Sequence, residues 1–217
     1  ASVLHALAGF CVLFLLTSAV PAATISVGDE DTSWPTDPVL ETQNGGNQNK
    51  QITKDVPYAQ TFKVEEQIQL DSFTIYVKGN SNTTDPVTAQ IYRVDDVFNS
   101  SSDPALDAED ILATGSFTLG ERSHDRVRFD LSEPVDLLPG VNDAGYGLNF
   151  TTDSETPAFE WRMDSVRNWA HGMAYPGVRE WAMSLALEGT VIPEPASLAL
   201  VLLGLTAAVG VRCRRSR

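Results

Sequence analysis

The sequence predicts an all-β protein: a jelly-roll-like β-sandwich of about eight or nine strands, flanked by an N-terminal signal helix and a C-terminal transmembrane helix. Three observations predict it. Between Tyr58 and Val191 the apolar residues alternate with polar ones instead of recurring every three or four positions. Clusters of Gly, Pro, Asn, Asp and Ser separate the alternating runs. Long apolar runs stand only at the two ends of the chain.

The strands follow in order. Gln60 to Val64 opens the series, and Phe73, Ile75 and Val77 alternate with Thr74, Tyr76 and Lys78. Val87, Ala89 and Ile91 come next. Then come Val127/Phe129/Leu131, Tyr146/Leu148/Phe150, Phe159/Trp161/Met163 and Met183/Leu185/Leu187. Successive side chains of a strand point to opposite faces, so each run carries one apolar row and one polar row. Turns fall at Lys78–Asn82, Pro139–Asn142 and Asp153–Pro157, and Asn99–Asp110 is a long acidic connection. One-sided strands need a second sheet over their apolar faces. A sandwich supplies that cover, and an open barrel is the alternative closure.

The two ends are organised differently. Ala6 to Leu16 is a short apolar run followed by Val20-Pro21-Ala22-Ala23, the small-residue flank of a signal-peptidase site, with cleavage expected after Ala22 or Ala23. Residues 1–22 therefore read as a signal peptide. Residues 23–57, polar and rich in Asn, Gly and Gln, read as an extended arm, and 58–191 as the β-sandwich domain. Residues 192–217 form a tail: Pro193-Glu194-Pro195, an apolar run from Ala196 to Val211, and a basic end from Arg212 to Arg217. The prolines oppose a helix running in from the body. The run makes roughly 24 Å of helix at about 1.5 Å per residue, marginal for a hydrocarbon core of about 30 Å. Arg212, Arg214, Arg215 and Arg217 fix its topology by staying cytoplasmic, which puts the body outside the cytoplasm.

Composition excludes several functions. Eleven of the 15 Lys and Arg and 28 of the 29 Asp and Glu lie between Ala23 and Ile192, so that segment carries about −17 against −14 for the whole chain. Nucleic acid and anionic lipid surfaces would repel such a body. The only cysteines, Cys11 and Cys213, belong to the terminal segments. A body without cysteine has no disulfide, zinc–thiolate site, thiol nucleophile or iron–sulfur cluster. Cys11 sits inside the continuing apolar run, which argues against lipidation.

The tail, with its Pro-Glu-Pro motif, apolar helix and arginine cluster in that order, resembles the PEP-CTERM sorting signal of Gram-negative and related bacteria. The resemblance implies export through the inner membrane by way of signal peptidase, and passage through the membrane during sorting. It further implies recognition by an exosortase with processing near Pro193, Glu194 and Pro195, and a destination in the envelope or outside the cell, in a biofilm or exopolysaccharide setting. The body is similar to the anchor-associated β-sandwich domains that precede such tails. The similarity rests on Ala59-Gln60-Thr61-Phe62, Leu70 to Ile75, Ala89-Gln90-Ile91-Tyr92, Val127 to Leu131, and Leu138-Pro139-Gly140 followed by Tyr146-Gly147-Leu148.

Candidate chemistry is sparse. No G-x-S-x-G, H-E-x-x-H or phosphate-cradling loop occurs, and the body has two histidines, His124 and His171. No catalytic residue is assigned and no cofactor is required. Asp103, Asp107, Glu109 and Asp110 form an acidic loop that supplies the oxygen ligands a structural calcium wants, and Asp29-Glu30-Asp31 is a second acidic cluster. Both read first as solvated loops, the second cluster more so. Trp169, Tyr175, Arg179 and Trp181 stand in a Gly- and Pro-rich stretch, where aromatic rings stack on sugars and Arg bonds hydroxyls. The preferred reading of Trp169 and Trp181 is that they cap the open end of the sandwich core. The expectation is an exported, non-catalytic envelope or matrix protein that contacts polysaccharide. A secreted glycan hydrolase using a carboxylate pair, and a purely structural or adhesive matrix protein, are the alternatives.

Overall fold

The computed structural model describes residues 22–28, 33–42, 48–78, 85–98, 110–119, 125–165, 171–175 and 181–193. These form thirteen strands. The first six are β1 (Ala23–Val27), β2 (Leu40–Glu41), β3 (Gln48–Ile52), β4 (Tyr58–Phe62), β5 (Ile68–Lys78) and β6 (Val87–Val94). The rest are β7 (Ile111–Phe117), β8 (Asp125–Leu137), β9 (Gly145–Thr152), β10 (Phe159–Ser165), β11 (Ala174–Tyr175), β12 (Trp181–Met183) and β13 (Ala186–Val191). No helix among the described residues is long and apolar enough to cross a membrane.

The strands build one curled, mixed sheet in the order β11-β4-β9-β6-β7-β1-β8-β5-β10-β12, with β13 beside β5 and β2, and β3 beside β10. The curl turns on β1. Ala23 and Thr24 pair in parallel with Ala113 and Thr114 of β7, whereas Ile25, Ser26 and Val27 pair antiparallel with Leu131, Asp130 and Phe129 of β8. One five-residue strand thus joins the two halves of the sheet.

The apolar rows expected from alternation face each other across the curl. Phe73, Ile75, Val77, Phe129, Leu148, Phe150, Phe159, Trp161, Met183 and Leu187 are all buried. Phe150 of β9 is the hub. Its ring meets Trp161 at 4.9 Å and Phe159 at 5.3 Å, both edge-on, and Phe129 at 5.8 Å. Those three partners belong to the opposite half, so the aromatic core fastens the halves together. Trp161 is fully buried and its Nε1–H donates to the Ser184 carbonyl at 2.8 Å. Its polar handle is thereby satisfied inside the core.

Residues 23–57, expected to be an extended arm, instead contribute three strands to the sheet. β3 pairs antiparallel with β10 over five residues, and β2 pairs with β13. The polar composition misleads because strand pairing is a backbone interaction. Only Ile52 of β3 is buried, and the other side chains of QNKQI point toward solvent or the edge. The strand number exceeds the expected eight or nine for the same reason. β7, with sequence ILATGSF, lacks a strong apolar alternation and still lies between β6 and β1.

Candidate functional site

The side chains brought together most clearly lie on the solvent-facing side of the β8–β5–β10–β3 half. Tyr76 is the centre. It belongs to the polar row of β5, whose neighbours Ile75 and Val77 are fully buried. Arg126 lies opposite it on β8. On the other flank β10 is in register, with Trp161 opposite Val77, so the next residue, Arg162, reaches Tyr76. The Arg126 guanidinium lies 5.1 Å from the Tyr76 ring centroid and that of Arg162 5.2 Å, both in cation–π range. The row continues onto β3, where Arg162 Nη1 donates to Asn49 Oδ1 at 2.8 Å. Alongside it, Gln51 Nε2 donates to Glu160 Oε1 at 3.2 Å.

The backbone beneath this row is held by Ser184. β10 and β13 share the same flank of β5 and hand over beside Tyr76, which would leave its amide and carbonyl without ladder partners. Ser184 fills the gap: its hydroxyl accepts the Tyr76 N–H at 2.9 Å and donates to the Tyr76 carbonyl at 3.2 Å. Ser184 is itself fully buried. Two residues further along β8, Arg128 donates through Nε to Asp130 at 2.8 Å and through Nη1 to Glu188 at 3.5 Å. Ser72 adds a bond to the second Glu188 oxygen at 3.2 Å. This cation is committed within the protein's own face.

A second feature is a cleft of about 380 Å³ at the end of β13. Val39, Leu40, Val64, Ile68 and Val191 give it an apolar lining, and Glu41, Glu65, Glu66 and His171 give it a polar rim. Glu41 accepts the Trp34 indole N–H at 2.9 Å, and His171 Nδ1 lies 4.0 Å from Glu65. Among the described residues no group of three or more His, Asp or Glu is arranged to hold a metal.

The aromatic stretch is anchored at both ends by β4. Thr61 donates its hydroxyl to the Val97 carbonyl at 2.6 Å and accepts the Met173 N–H at 3.1 Å. Gln60, fully buried, accepts the Met183 N–H on Oε1 at 2.7 Å and donates to the Thr61 carbonyl at 2.8 Å. Tyr175 stands in β11 opposite Ala59, and Trp181 in β12 opposite Ser165. Trp169 and Arg179 lie outside the described residues, as do Asp29, Glu30, Asp31, His124, Asp103, Asp107 and Glu109. Asp110 is described, with its carbonyl accepting the Arg93 N–H at 2.9 Å. Of the sorting motif, Pro193 is described. Glu194, Pro195, Arg212, Arg214, Arg215 and Arg217 lie outside the described residues.

Sequence reasoning passed over the Arg126–Tyr76–Arg162 row although its signal was present. Each member occupies the polar phase of an alternating strand, and only the strand order shows that the three phases adjoin. No protein-family model matches this chain, and no curated protein matches it either.

Proposed function

We propose that this is an exported, non-catalytic protein of the cell envelope or extracellular matrix, sorted by an exosortase, whose curled sheet is a jelly-roll-like sandwich that contacts polysaccharide. The observation that supports the reading is that the described strands, from Ala23 to Val191, lie between the two segments read as signals. Among the described residues the first strand opens at Ala23, next to the small-residue flank read as a signal-peptidase site, and the bond nearest the tail runs from the Ile192 N–H to the Gln67 carbonyl at 2.8 Å. Pro193, the first residue of the Pro-Glu-Pro motif, follows at once and has no N–H to extend the ladder. This arrangement is what an exported body between a signal peptide and a sorting tail would have, and it supports the reading. For the contact with polysaccharide, support comes from the half-exposed Arg, Tyr and Asn row on a rigid sheet face, which offers hydrogen-bond donors at fixed spacing.

The sorting arm is tested by expressing the full chain in a bacterium with and without its exosortase, and determining the C-terminus by mass spectrometry. Exosortase-dependent loss of the basic tail is expected. Retention of Arg217 in both strains would end the sorting reading. The contact arm is tested by co-sedimentation with purified exopolysaccharide, and failure to sediment at any polymer concentration would remove it.

A further inference from the structure

We propose that the uncharged outer face of β9, β6 and β7 binds an extended, uncharged polysaccharide chain laid across the strands. The inference rests on the polysaccharide reading, names the ligand class and places it on the half of the sheet away from the arginine row. It starts from where charge is missing. About a fifth of the chain's residues are charged. Yet β4, β9, β6, β7 and β1, neighbours in the sheet order, hold only Arg93 among them. Arg93 follows the inward phase of Ala89 and Ile91 at the strand's end, so the outward positions carry no charge.

Strand register arranges the outward side chains into two rows. Thr151 of β9 lies opposite Thr88 of β6, which lies opposite Ser116 of β7. Two residues along, Asn149, Gln90 and Thr114 face one another in the same order. Phe150 and Ala89, which separate the rows on β9 and β6, are fully buried in the core. Thr88, Gln90, Thr114 and Thr151 are half-exposed and Ser116 is exposed. Their five side chains make no hydrogen bond to any described residue. Beyond Asn149 the face is closed: the Tyr92 ring fills the space a side chain on Gly147 would need, and Val97 does the same over Gly145. Asn149, the outward residue next to Gly147 along β9, is nine-tenths buried, and its Oδ1 has no hydrogen-bond partner among the described residues. A buried polar oxygen left unpaired in a folded protein calls for a donor. The Asn amide turns about a soft terminal torsion, so a hydroxyl arriving on the row can take up that oxygen.

The chemistry of the rows selects the ligand. Thr and Ser hydroxyls and Asn and Gln amides both donate and accept, as sugar hydroxyls do. Neighbouring strands stand about 4.8 Å apart, so polar groups recur at that interval along a row, close to the length of one sugar in an extended chain. The threonine methyls add apolar contact for the C–H groups of the rings. A carboxylate or phosphate only accepts hydrogen bonds, and the rows hold no cation to neutralise it on a chain of net charge −14. A protein partner wants an aromatic, methionine or arginine anchor at the centre of the contact, and the rows hold none. Single hydrogen bonds contribute little net affinity in water, so a polymer that engages several groups at once is the ligand this face suits.

The test measures binding of the full chain to hydroxyethylcellulose, an uncharged soluble glucan, and to sodium alginate of matched length. Hydroxyethylcellulose binding that changes less than about twofold as NaCl rises to about 0.5 M is expected. The T88V/T114V double variant keeps side-chain shape and strand preference and removes one hydroxyl from each row. It should bind the glucan about tenfold more weakly, with its far-ultraviolet circular dichroism unchanged. If it does not fold, Q90E sets a charge in the row at almost the same shape, and should bind several-fold more weakly. Glucan affinity unaltered by the variant overturns the site and leaves the polysaccharide reading standing. An equal loss of alginate affinity in the variant overturns the restriction to uncharged chains. Alginate bound while hydroxyethylcellulose is not overturns the ligand class, and again leaves that reading. A dimer in sedimentation velocity that the double variant separates into monomers assigns the face to a second copy and overturns the proposal. Binding to neither polymer removes the polysaccharide reading and the proposal with it.

Discussion

The carbonyl of Ile25 occupies the space in which a side chain on Gly115 would begin. A Cβ built on Gly115 meets that carbonyl oxygen at far below contact distance, and lies 2.8 Å from the Ile25 Cβ. Ile25 is the residue at which β1 leaves β7 and takes up β8, so a missing side chain on β7 gives β1 room to cross. The consequence is a position that tolerates no substitution. Gly115→Ala should destabilise the protein by about 1–3 kcal/mol or more through forced backbone displacement. Urea unfolding checks it, and a midpoint equal to that of the parent would mean β1 does not need this gap.

Phe150 joins the halves from the other side of the core. Its ring touches Phe129, Phe159 and Trp161, all on strands of the opposite half. Phe150→Ala should cost about 3–5 kcal/mol, the range for emptying a packed aromatic site. Phe150→Leu should cost less because most of the volume is kept. Comparison of the two in thermal melts separates cavity formation from loss of ring contacts.

Tyr146 gives the fold an alkaline limit. Its hydroxyl accepts the Leu138 N–H at 2.6 Å and donates to the Leu138 carbonyl at 3.1 Å, a closed pair that pins the turn before β9. Burial raises its ionisation above the usual phenol value of 10.0, outweighing the Leu138 bond and the nearby Arg93, which act in the opposite direction. Burial also raises Tyr58. A folded-state value above the unfolded one means the stabilisation is whole below about pH 10. It is lost as pH rises through the folded-state value. Unfolding free energy should therefore be flat from pH 8 to about 9.5 and fall above 10. Tyr146→Phe should lose about 1 kcal/mol at neutral pH and flatten part of the alkaline fall, leaving the share that belongs to Tyr58.

On the proposed export reading, the start of β1 selects between the two cleavage positions expected from the sequence. Ala22 is exposed, whereas Ala23 is 3% exposed, packs in the core and pairs with Ala113. Cutting after Ala22 keeps the whole strand, and cutting after Ala23 removes a core side chain and a ladder residue. On the proposed export reading, the mature protein should begin at Ala23. N-terminal peptide mapping decides it, and a start at Thr24 would contradict the argument.

How much of this was legible from residues alone depended on whether side chains or backbone carried the information. Phe73, Phe129, Phe150 and Trp161 were placed in the core by period-2 alternation, and all four are fully buried. The turn at Pro139–Asn142 was equally visible, and Asn142 adopts a positive φ of 60°, a conformation Asn tolerates. β3 was not visible, because QNKQI pairs through its backbone while its outward side chains meet solvent. The Tyr76 row was missed for a different reason. Its three members lie on β5, β8 and β10, and no local pattern reports which strands become neighbours. Burial of Gln60 was hidden likewise, since a polar residue in a strand reads as solvent-facing until a specific partner appears.

That partner makes Gln60 testable. The side chain is fully buried on β4 and receives the Met183 N–H while donating to the Thr61 carbonyl, so it replaces a ladder where β12 meets β4. Gln60→Leu keeps approximate size and removes both bonds, leaving a buried amide and a buried carbonyl each short of a partner. An unpaired buried group costs about 1–3 kcal/mol, which outweighs the gain from a more apolar side chain. The loss should also be local. Amide exchange at Met183, beside the strand that carries Trp181, should speed up far more than exchange at Phe150, which lies in the middle of its strand. Equal acceleration at both amides would show that Gln60 supports the whole core and not the mounting of the aromatic stretch.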